Sequence, residues 1–440
     1  MNKILIVTVG IRSHLYTHLG FAERAAELGW QIAIACPMKI IRDTVQSAGY
    51  SFYVLKPQEG RMHSPPSVFR IRAFKQEKAN AEARRLAIFS NLGLPDVLSD
   101  FDPDLVIVDS ELHEYILISI AQGRTTAVFE PHFSTERRPN VPVLSDTFIP
   151  SDGMLSRLRC SAGWGLFQAK RSAIRLLQRL LYGPNDKHSV ITDLASQLRL
   201  GLPGTMDTGQ WHFYDFPNLV CLRCTIPDID FSPGSVRPNQ VFLGPMIRRE
   251  TNEARELETL GKVDEFLAHQ PDGRSTILLT FGSMLSMKSR VECAIDAVRS
   301  KDVSMLVACR EYFGSDAMSD LPDNVFVADW LPIVPVLKKV DVAVTHGGPA
   351  TIQECIDACV PMLLYSMDVR DQNGNVARVC GKNMGLAGSN HDTAADMWQK
   401  ISHLLAEGVF LENCETMAAE LRKYDTLEVL GSALDRCTRP

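Results

Sequence analysis

Apolar residues along this chain fall into two alternating arrangements. Short unbroken runs, such as Ile4–Val9 and Gln31–Cys36, have the length and density of strands buried on both faces. Between them, apolar residues recur at helical spacing. Leu15, Leu19, Ala22 and Ala26 mark one face of a helix over His14–Leu28, with Gly29 as its stop. The same reading predicts strands at Ser51–Leu55 and Leu105–Val108 and a long polar helix over Val68–Asn91. Pro227–Pro245 is rich in Pro and Gly and reads as a linker. After it the alternation restarts, with strands at Thr276–Thr280, Val303–Ala308, Val325–Ala328, Val342–Thr345 and Met362–Tyr365 and a helix near Lys288–Val298. This pattern predicts an α/β protein of two doubly wound parallel sheets, one in residues 1–235 and one in residues 236–420, with 421–440 as a tail. Ligands of such sheets bind at the C-terminal ends of strands, so the halves should enclose a central cleft.

Composition narrows the class. The 440 residues are 45% hydrophobic and 22% charged, a soluble globular balance. A net charge of −6 argues against a coat for nucleic acid. No apolar run approaches the roughly 20 residues of a membrane-spanning helix. The opening MNKILIVTVG lacks the cleavage site of a secretory leader. Eleven scattered cysteines fit a reduced, cytoplasmic chain better than a disulfide framework. One segment departs from the average: Met154–Tyr182 holds six basic residues and no acidic one. Ile174, Leu177 and Leu181 can share one helix face, and Arg171, Arg175 and Arg179 another. Such a helix either packs on its own domain or makes peripheral contact with an anionic membrane.

The densest chemistry lies between Asp329 and Gly385. A strand ends in Thr345-His346-Gly347-Gly348 and turns into a helix beginning Pro349-Ala350-Thr351-Ile352-Gln353-Glu354. A helix N-terminus offers free backbone N–H groups and a partial positive charge, a ready phosphate site. Thr351 can add a hydroxyl there and His346 an imidazole N–H. Glu354, one turn on, can accept both hydroxyls of a ribose. Trp330 offers a flat face to a base. Asp371 and Gln372 offer a carboxylate and an amide to a polyhydroxylated ligand.

These motifs (W-L-P, then H-G-G-P-A-T-x-x-E, then C-V-P and D-Q-x-x-N) resemble the signature of nucleotide-sugar-dependent glycosyltransferases of the UDP-glucosyl/glucuronosyltransferase type, of bacterial natural-product or carotenoid kind. Ile333 stands where that family usually has Gln, and Cys359 where it has Gly. The resemblance implies a GT-B fold of two Rossmann-like domains facing a cleft. It implies that Trp330 and Ile333 flank the base, and that His346, Gly348 and Thr351 hold the diphosphate. Glu354 would then take the ribose, and Asp371 with Gln372 the transferred hexose. Leu279-Thr280-Phe281-Gly282-Ser283 resembles the family's S-F-G-S loop, in which Gly282 and Ser283 approach the β-phosphate. In the first half, Gly10–Leu15 resembles the family's loop that ends in the catalytic histidine, which places that role on His14, with Asp109 as its carboxylate partner. The C-terminal residues 421–440 would form a helix crossing back to the first domain.

The reaction so implied is inverting transfer of a hexose, glucose first, from a UDP-sugar to a hydroxyl of a hydrophobic small molecule. His14 would be the general base. No cofactor is called for and no metal is expected, so activity should survive EDTA. Tyr115, Phe129, Phe133 and Phe148 are candidates to line the acceptor pocket. His18, one turn from His14, is the alternative base. The His14/His18 pair lacks the Glu and third ligand of a zinc site. Gly282–Ser289 falls short of a P-loop because Met287 replaces its second glycine. A GT-B nucleotide-sugar epimerase, or a non-catalytic helper of a partner enzyme, would share the fold. Oligomeric state is not legible in the sequence.

Overall fold

The computed structural model of the chain describes residues 2–56, 71–133, 135–201, 206–212, 214–232, 234, 236–249, 254–281, 288–309, 320–367 and 371–438. Seven parallel strands make the first sheet: β1 (Lys3–Val7), β2 (Gln31–Cys36), β3 (Ser51–Val54), β4 (Leu105–Asp109), β5 (Thr126–Glu130), β6 (Cys221–Arg223) and β7 (Gln240–Phe242). Six parallel strands make the second: β8 (Ser275–Thr280), β9 (Val303–Ala308), β10 (Val325–Ala328), β11 (Val342–Thr345), β12 (Met362–Leu364) and β13 (Gly385–Ala387). Their spatial orders are β3-β2-β1-β4-β5-β6-β7 and β10-β9-β8-β11-β12-β13. Each order reverses once, between β1 and β4 and between β8 and β11, and ligand sites of doubly wound folds sit at such switch points. This is the GT-B architecture that the resemblance implied.

The apolar runs are strands because both faces of each sheet are covered. Ile4 to Val7 and Leu105 to Val108 are wholly buried. Leu5, Val7, Val106 and Val108 join the core on one face, and Ile4, Ile6, Leu105 and Ile107 the core on the other. The second sheet is sandwiched likewise, with Leu278 and Ala343 on one side and Ile277, Leu279 and Val344 on the other.

Two expectations change. The Pro- and Gly-rich stretch is not only a linker: β7 lies within it and pairs with β6 through Cys221, Leu222 and Arg223. The first sheet therefore runs past residue 235. A three-residue strand flanked by prolines carries too little periodicity to read from sequence. The basic Met154–Tyr182 helix also sits opposite to the ordinary amphipathic arrangement. Its Ser156, Cys160, Trp164 and Arg171 are buried, while Leu155, Leu166 and Leu180 are exposed. Trp164 Nε1 donates to the Val141 carbonyl at 2.9 Å, and Arg171 donates to the carbonyls of Gln210 and His212, which pins Arg171 inward. No helix among the described residues is long and apolar enough to cross a membrane.

Several contacts among the described residues hold the halves together, as three of them show. The Gly374 N–H donates to the Leu144 carbonyl at 2.9 Å, and a Cβ at residue 374 would stand 2.0 Å from that oxygen, so only glycine permits the approach. Asp230, 4% exposed, binds Arg378 from the second half (Oδ1 to Nη2 3.0 Å) and Arg138 from the first. The helix Leu427–Thr438 returns to the first half, where Leu430, Ala433, Leu434 and Cys437 complete the core beside Leu15, Leu19 and Ala22 of the helix Arg12–Glu27. Cys359, in the place of the family glycine, has a left-handed backbone (φ +58°), which explains why glycine suits that turn.

Candidate active site

The chain leaves β1 through Gly10, whose φ is +74° and whose Cβ would collide with Cys36 Sγ and Met38 Cβ at 2.9 Å. That turn starts the helix Arg12–Glu27 and sets His14 in its first turn, above the end of β4. His14 Nδ1 meets Asp109 Oδ2 at 2.7 Å, and Asp109 is fully buried. The second Asp109 oxygen accepts the Glu111 N–H at 3.0 Å. A carboxylate so fixed selects the tautomer with hydrogen on Nδ1 and leaves Nε2 for substrate. Burial alone would lower the His14 pKa, but the charge of Asp109 and its hydrogen bond outweigh burial and raise it above 6.5.

His18 is a different kind of group. Its Nδ1 donates to the His14 carbonyl at 2.8 Å, its ring stacks on Phe129 at 4.2 Å, and it is wholly buried. Burial pushes its pKa down to about 4. It is a neutral packing residue that steadies the turn carrying His14.

Beside this pair stands a second carboxylate–imidazole group that sequence reasoning missed. Glu130 ends β5, the neighbour of β4, and His132 follows two residues later. His132 Nδ1 donates to Glu130 Oε1 at 2.8 Å, and His212 Nε2 donates to Oε2 at 2.6 Å. The His132 N–H, Ser110 Oγ and Thr135 Oγ1 add bonds of 3.1, 3.3 and 3.4 Å. The His132 ring meets that of His14 edge-on at 5.5 Å, and its Nε2 lies 3.9 Å from Glu111 Oε1. Burial would lower the His132 pKa. The bond and charge of Glu130, with Asp371 and Glu111, instead raise it to about 9. The ligand atoms of Glu130, His132 and His212 lie within 4.8 Å of one another, a spacing a divalent ion could use. Five donors, however, already satisfy both Glu130 oxygens, and the cluster is complete as a hydrogen-bond network. His212 reaches Glu130 across 82 residues of sequence, which no local spacing rule could reveal.

In the second half, β11 ends at Thr345 and turns through Gly347 (φ +84°) to Gly348, the cap of the helix Pro349–Asp357. A Cβ on Gly348 would stand 2.8 Å from His346 Nε2, so the bare residue keeps the histidine beside the helix start. Pro349 occupies the first turn, where its missing N–H costs nothing. His346 Nδ1 and Thr345 Oγ1 are buried without a partner among the described residues. Burial lowers the His346 pKa, against the opposing charge of Asp371. Thr351 is half-buried on the same first turn. Glu354 is half-buried one turn on and has no hydrogen-bond partner among the described residues, and desolvation pushes its carboxyl up to about 7.

Asp371 immediately precedes the helix Gln372–Gly381, and its side chain makes no capping bond there. Its Oδ2 accepts from Asn375 Nδ2 at 2.8 Å, and the same amide reaches the Gly347 carbonyl at 2.9 Å, which ties the carboxylate to the glycine turn. The charge of Asp371 acts on both His346 and His132, so it sits where the two halves meet. Gln372 is buried with its oxygen accepting the Met367 N–H at 2.9 Å, which leaves only its NH2 for a ligand. Trp330 is half-buried just after β10, and Ile333 opens the next short helix and packs on the core. Gly282 and Ser283 lie outside the described residues. The aromatic lining proposed for the acceptor pocket is corrected: Tyr115, Phe129 and Phe133 are wholly buried in the cores, and only Phe148 is part-exposed, beneath Arg159 at 4.0 Å. Aromatic content identifies a residue that wants burial, not the side of the strand it faces.

Comparisons with known proteins agree with this geometry. Residues 292–428 match the family model described as the C-terminal domain of proteins like erythromycin biosynthesis protein CIII. The chain is 28% identical to human (Homo sapiens) UDP-glucuronosyltransferase 3A1 over 36% of its own length and 30% of that protein. It is 31% identical to the oleandomycin glycosyltransferase of Streptomyces antibioticus over 20% and 21%, and 26% identical to the aclacinomycin-T 2-deoxy-L-fucose transferase of Streptomyces galilaeus over 35% and 36%. The chain thus spans about a fifth to a third of the length of these curated relatives. Its fold is similar throughout to the calicheamicin glycosyltransferase CalG4 (TM-score 0.70, 17% identity, 99% of this chain and 98% of that one). It is similar also to the glycosyltransferase VinC in complex with DTDP (TM-score 0.63, 16% identity, 100% of both).

Proposed function

We propose that this protein transfers a sugar from a nucleoside diphosphate donor to a hydroxyl of a hydrophobic small molecule, with inversion at the anomeric carbon. The observation that carries the reading is the pair of buried Asp109 and part-buried His14, 2.7 Å apart at one switch point, with the glycine turn and Glu354 at the switch point of the other sheet. The resemblance to natural-product glycosyltransferases, kept by the family match and the fold, supplies the reaction class. His14 Nε2 takes the acceptor proton as the oxygen attacks the anomeric carbon. The bond from that carbon to the β-phosphate oxygen breaks, and a β-glycoside and a nucleoside diphosphate result. Asp109 stabilises the imidazolium that forms. The helix start after Gly348, with His346 and Thr351, takes up the charge that develops on the leaving diphosphate.

This division of labour asks nothing of a metal, so acceptor-dependent release of nucleotide should be unchanged by EDTA. Loss of activity on chelation, restored by Mn²⁺, would refute it. Our first choice of donor is a UDP-hexose, with glucose foremost, because Glu354 suits a ribose carrying both hydroxyls. A TDP-sugar is the second reading, favoured by the DTDP bound to VinC, a protein of similar fold.

Glu354 provides the test. A carboxyl with a pKa of about 7 must ionise to accept two ribose hydroxyls. UDP affinity should therefore tighten by roughly tenfold from about pH 6 to about pH 8, and Glu354→Gln should flatten that dependence. Thermal shift with UDP, TDP, GDP and ADP reads both effects, since a ligand at 100 times its Kd adds about 2.7 kcal/mol. If no nucleotide raises the melting temperature, the transferase reading fails and the helper-protein reading takes its place.

A further inference from the structure

A surface helix ordinarily turns its aliphatic face to the core and its charges to water. The helix Met154–Tyr182 does the reverse. Along its outer side Leu155 is 84% exposed, Leu166 73% and Leu180 75%, and Leu158 and Leu176 are exposed as well. The intervening outer positions are exposed alanines, Ala162, Ala169 and Ala173. At 1.5 Å per residue the stripe is roughly 40 Å long. Contiguous apolar surface of this extent on a folded chain marks an interaction site. The stripe cannot be a misplaced core face, because the opposite side is fastened by Trp164 to Val141 and by Arg171 to Gln210 and His212.

The charges beside the stripe select the occupant. Arg157, Arg159 and Lys170 are exposed, and the helix has no acidic residue along its length. Acids near the helix among the described residues include Asp152 before the first turn, Asp146 close to Gly163, Asp207 and Glu77, whose charges act on Arg171 and Tyr182 on its inner side, and buried Asp186, which pairs with Arg179 at 3.5 Å. A second copy of the chain would oppose two cationic helices with no acid on either. A flat anionic surface meets both requirements along the full length: it takes up leucines in line, and it offers negative charge to the basic residues beside them.

We propose that the exposed leucine face of the helix Met154–Tyr182 docks on an anionic lipid bilayer, lying in its surface without crossing it. Docking would hold the cleft next to a phase in which hydrophobic acceptors collect. The proposal stands apart from the transferase reading, because it needs no activity to be tested.

The test is sedimentation of the full chain with vesicles. Wild type should bind vesicles of about 30% phosphatidylglycerol in phosphatidylcholine at least tenfold better than vesicles of phosphatidylcholine alone. Leu166→Glu with Leu180→Glu should lower binding by about tenfold or more. Arg159→Gln with Lys170→Gln should lower it by roughly fivefold per residue. The two leucines and Lys170 face solvent, so the melting temperatures of the leucine pair and of Lys170→Gln alone should stay at the wild-type value and separate docking from folding, whereas Arg159 also covers the Phe148 ring. Failure of wild type to sediment with anionic vesicles overturns the proposal, as does equal sedimentation of the leucine variant. A dimer in analytical ultracentrifugation that Leu166→Glu dissolves, with no vesicle binding, would assign the face to self-association instead.

Discussion

Replacing His14 with alanine is expected to lower kcat by roughly 10³-fold, inside the 10²–10⁴ range that a positioned general base supplies. Nucleotide binding should be unchanged, because His14 belongs to the first half and the residues proposed to hold the nucleotide lie in the second. The pH profile gives the finer check. The working form of His14 is neutral, and its pKa is raised above 6.5 by Asp109 against the effect of burial. The plot of kcat/KM should therefore rise with pH through a midpoint above 6.5. Asp109→Asn removes the charge that raises the pKa, so the midpoint should move to lower pH. The rate should still fall by about 10²-fold or more, since an amide no longer enforces the productive tautomer. A loss of less than tenfold in His14→Ala would remove His14 from the chemistry.

The second large effect is on stability. Asp230 is the buried carboxylate between Arg378, which is 0% exposed, and Arg138. Arg378 Nη1 also donates to the Gly374 carbonyl at 2.9 Å, beside the close approach of that glycine to Leu144. Burial, aggravated by nearby Arg223, pushes the Arg378 pKa down to about 9. Asp230→Ala would leave buried Arg378 without its carboxylate and Arg138 with Glu136 at 3.9 Å, a change that costs about 3–5 kcal/mol. Against the total stability of about 5–15 kcal/mol of a folded domain, that should appear as a large drop in the urea midpoint. A drop below about 1 kcal/mol would mean that the network adds nothing to the junction.

The parallel strands were legible because burial on both faces leaves an unbroken apolar run, as in Ile4–Val9. The glycine turn and its helix start were legible because the constraint is local: Gly347, Gly348 and Pro349 each do a backbone task within four residues. His14 and Asp109 came from a resemblance, and the fold then put them 2.7 Å apart. The rest depends on contacts between distant parts. His212 meets Glu130 only because the 206–212 segment folds over the end of β5. β6 and β7 are three residues each, too short to show a period. The Met154–Tyr182 helix was read correctly as two-faced, but periodicity cannot say which face docks. The carbonyls of Gln210 and His212, waiting for Arg171, decided that.

The returning helix Leu427–Thr438 has a consequence for how the protein is born. Its Leu430, Ala433 and Leu434 fill a core whose other walls, Ile4, Ile6, Leu15 and Leu19, are translated about 400 residues earlier. A ribosome making this chain exposes the first half long before it can close that gap, so the whole second sheet must be synthesised while the first waits open on one side. The core on that face is completed only after the second sheet has been made, and nascent chains stalled anywhere between β13 and residue 427 should be more sensitive to protease in their first half than the released protein.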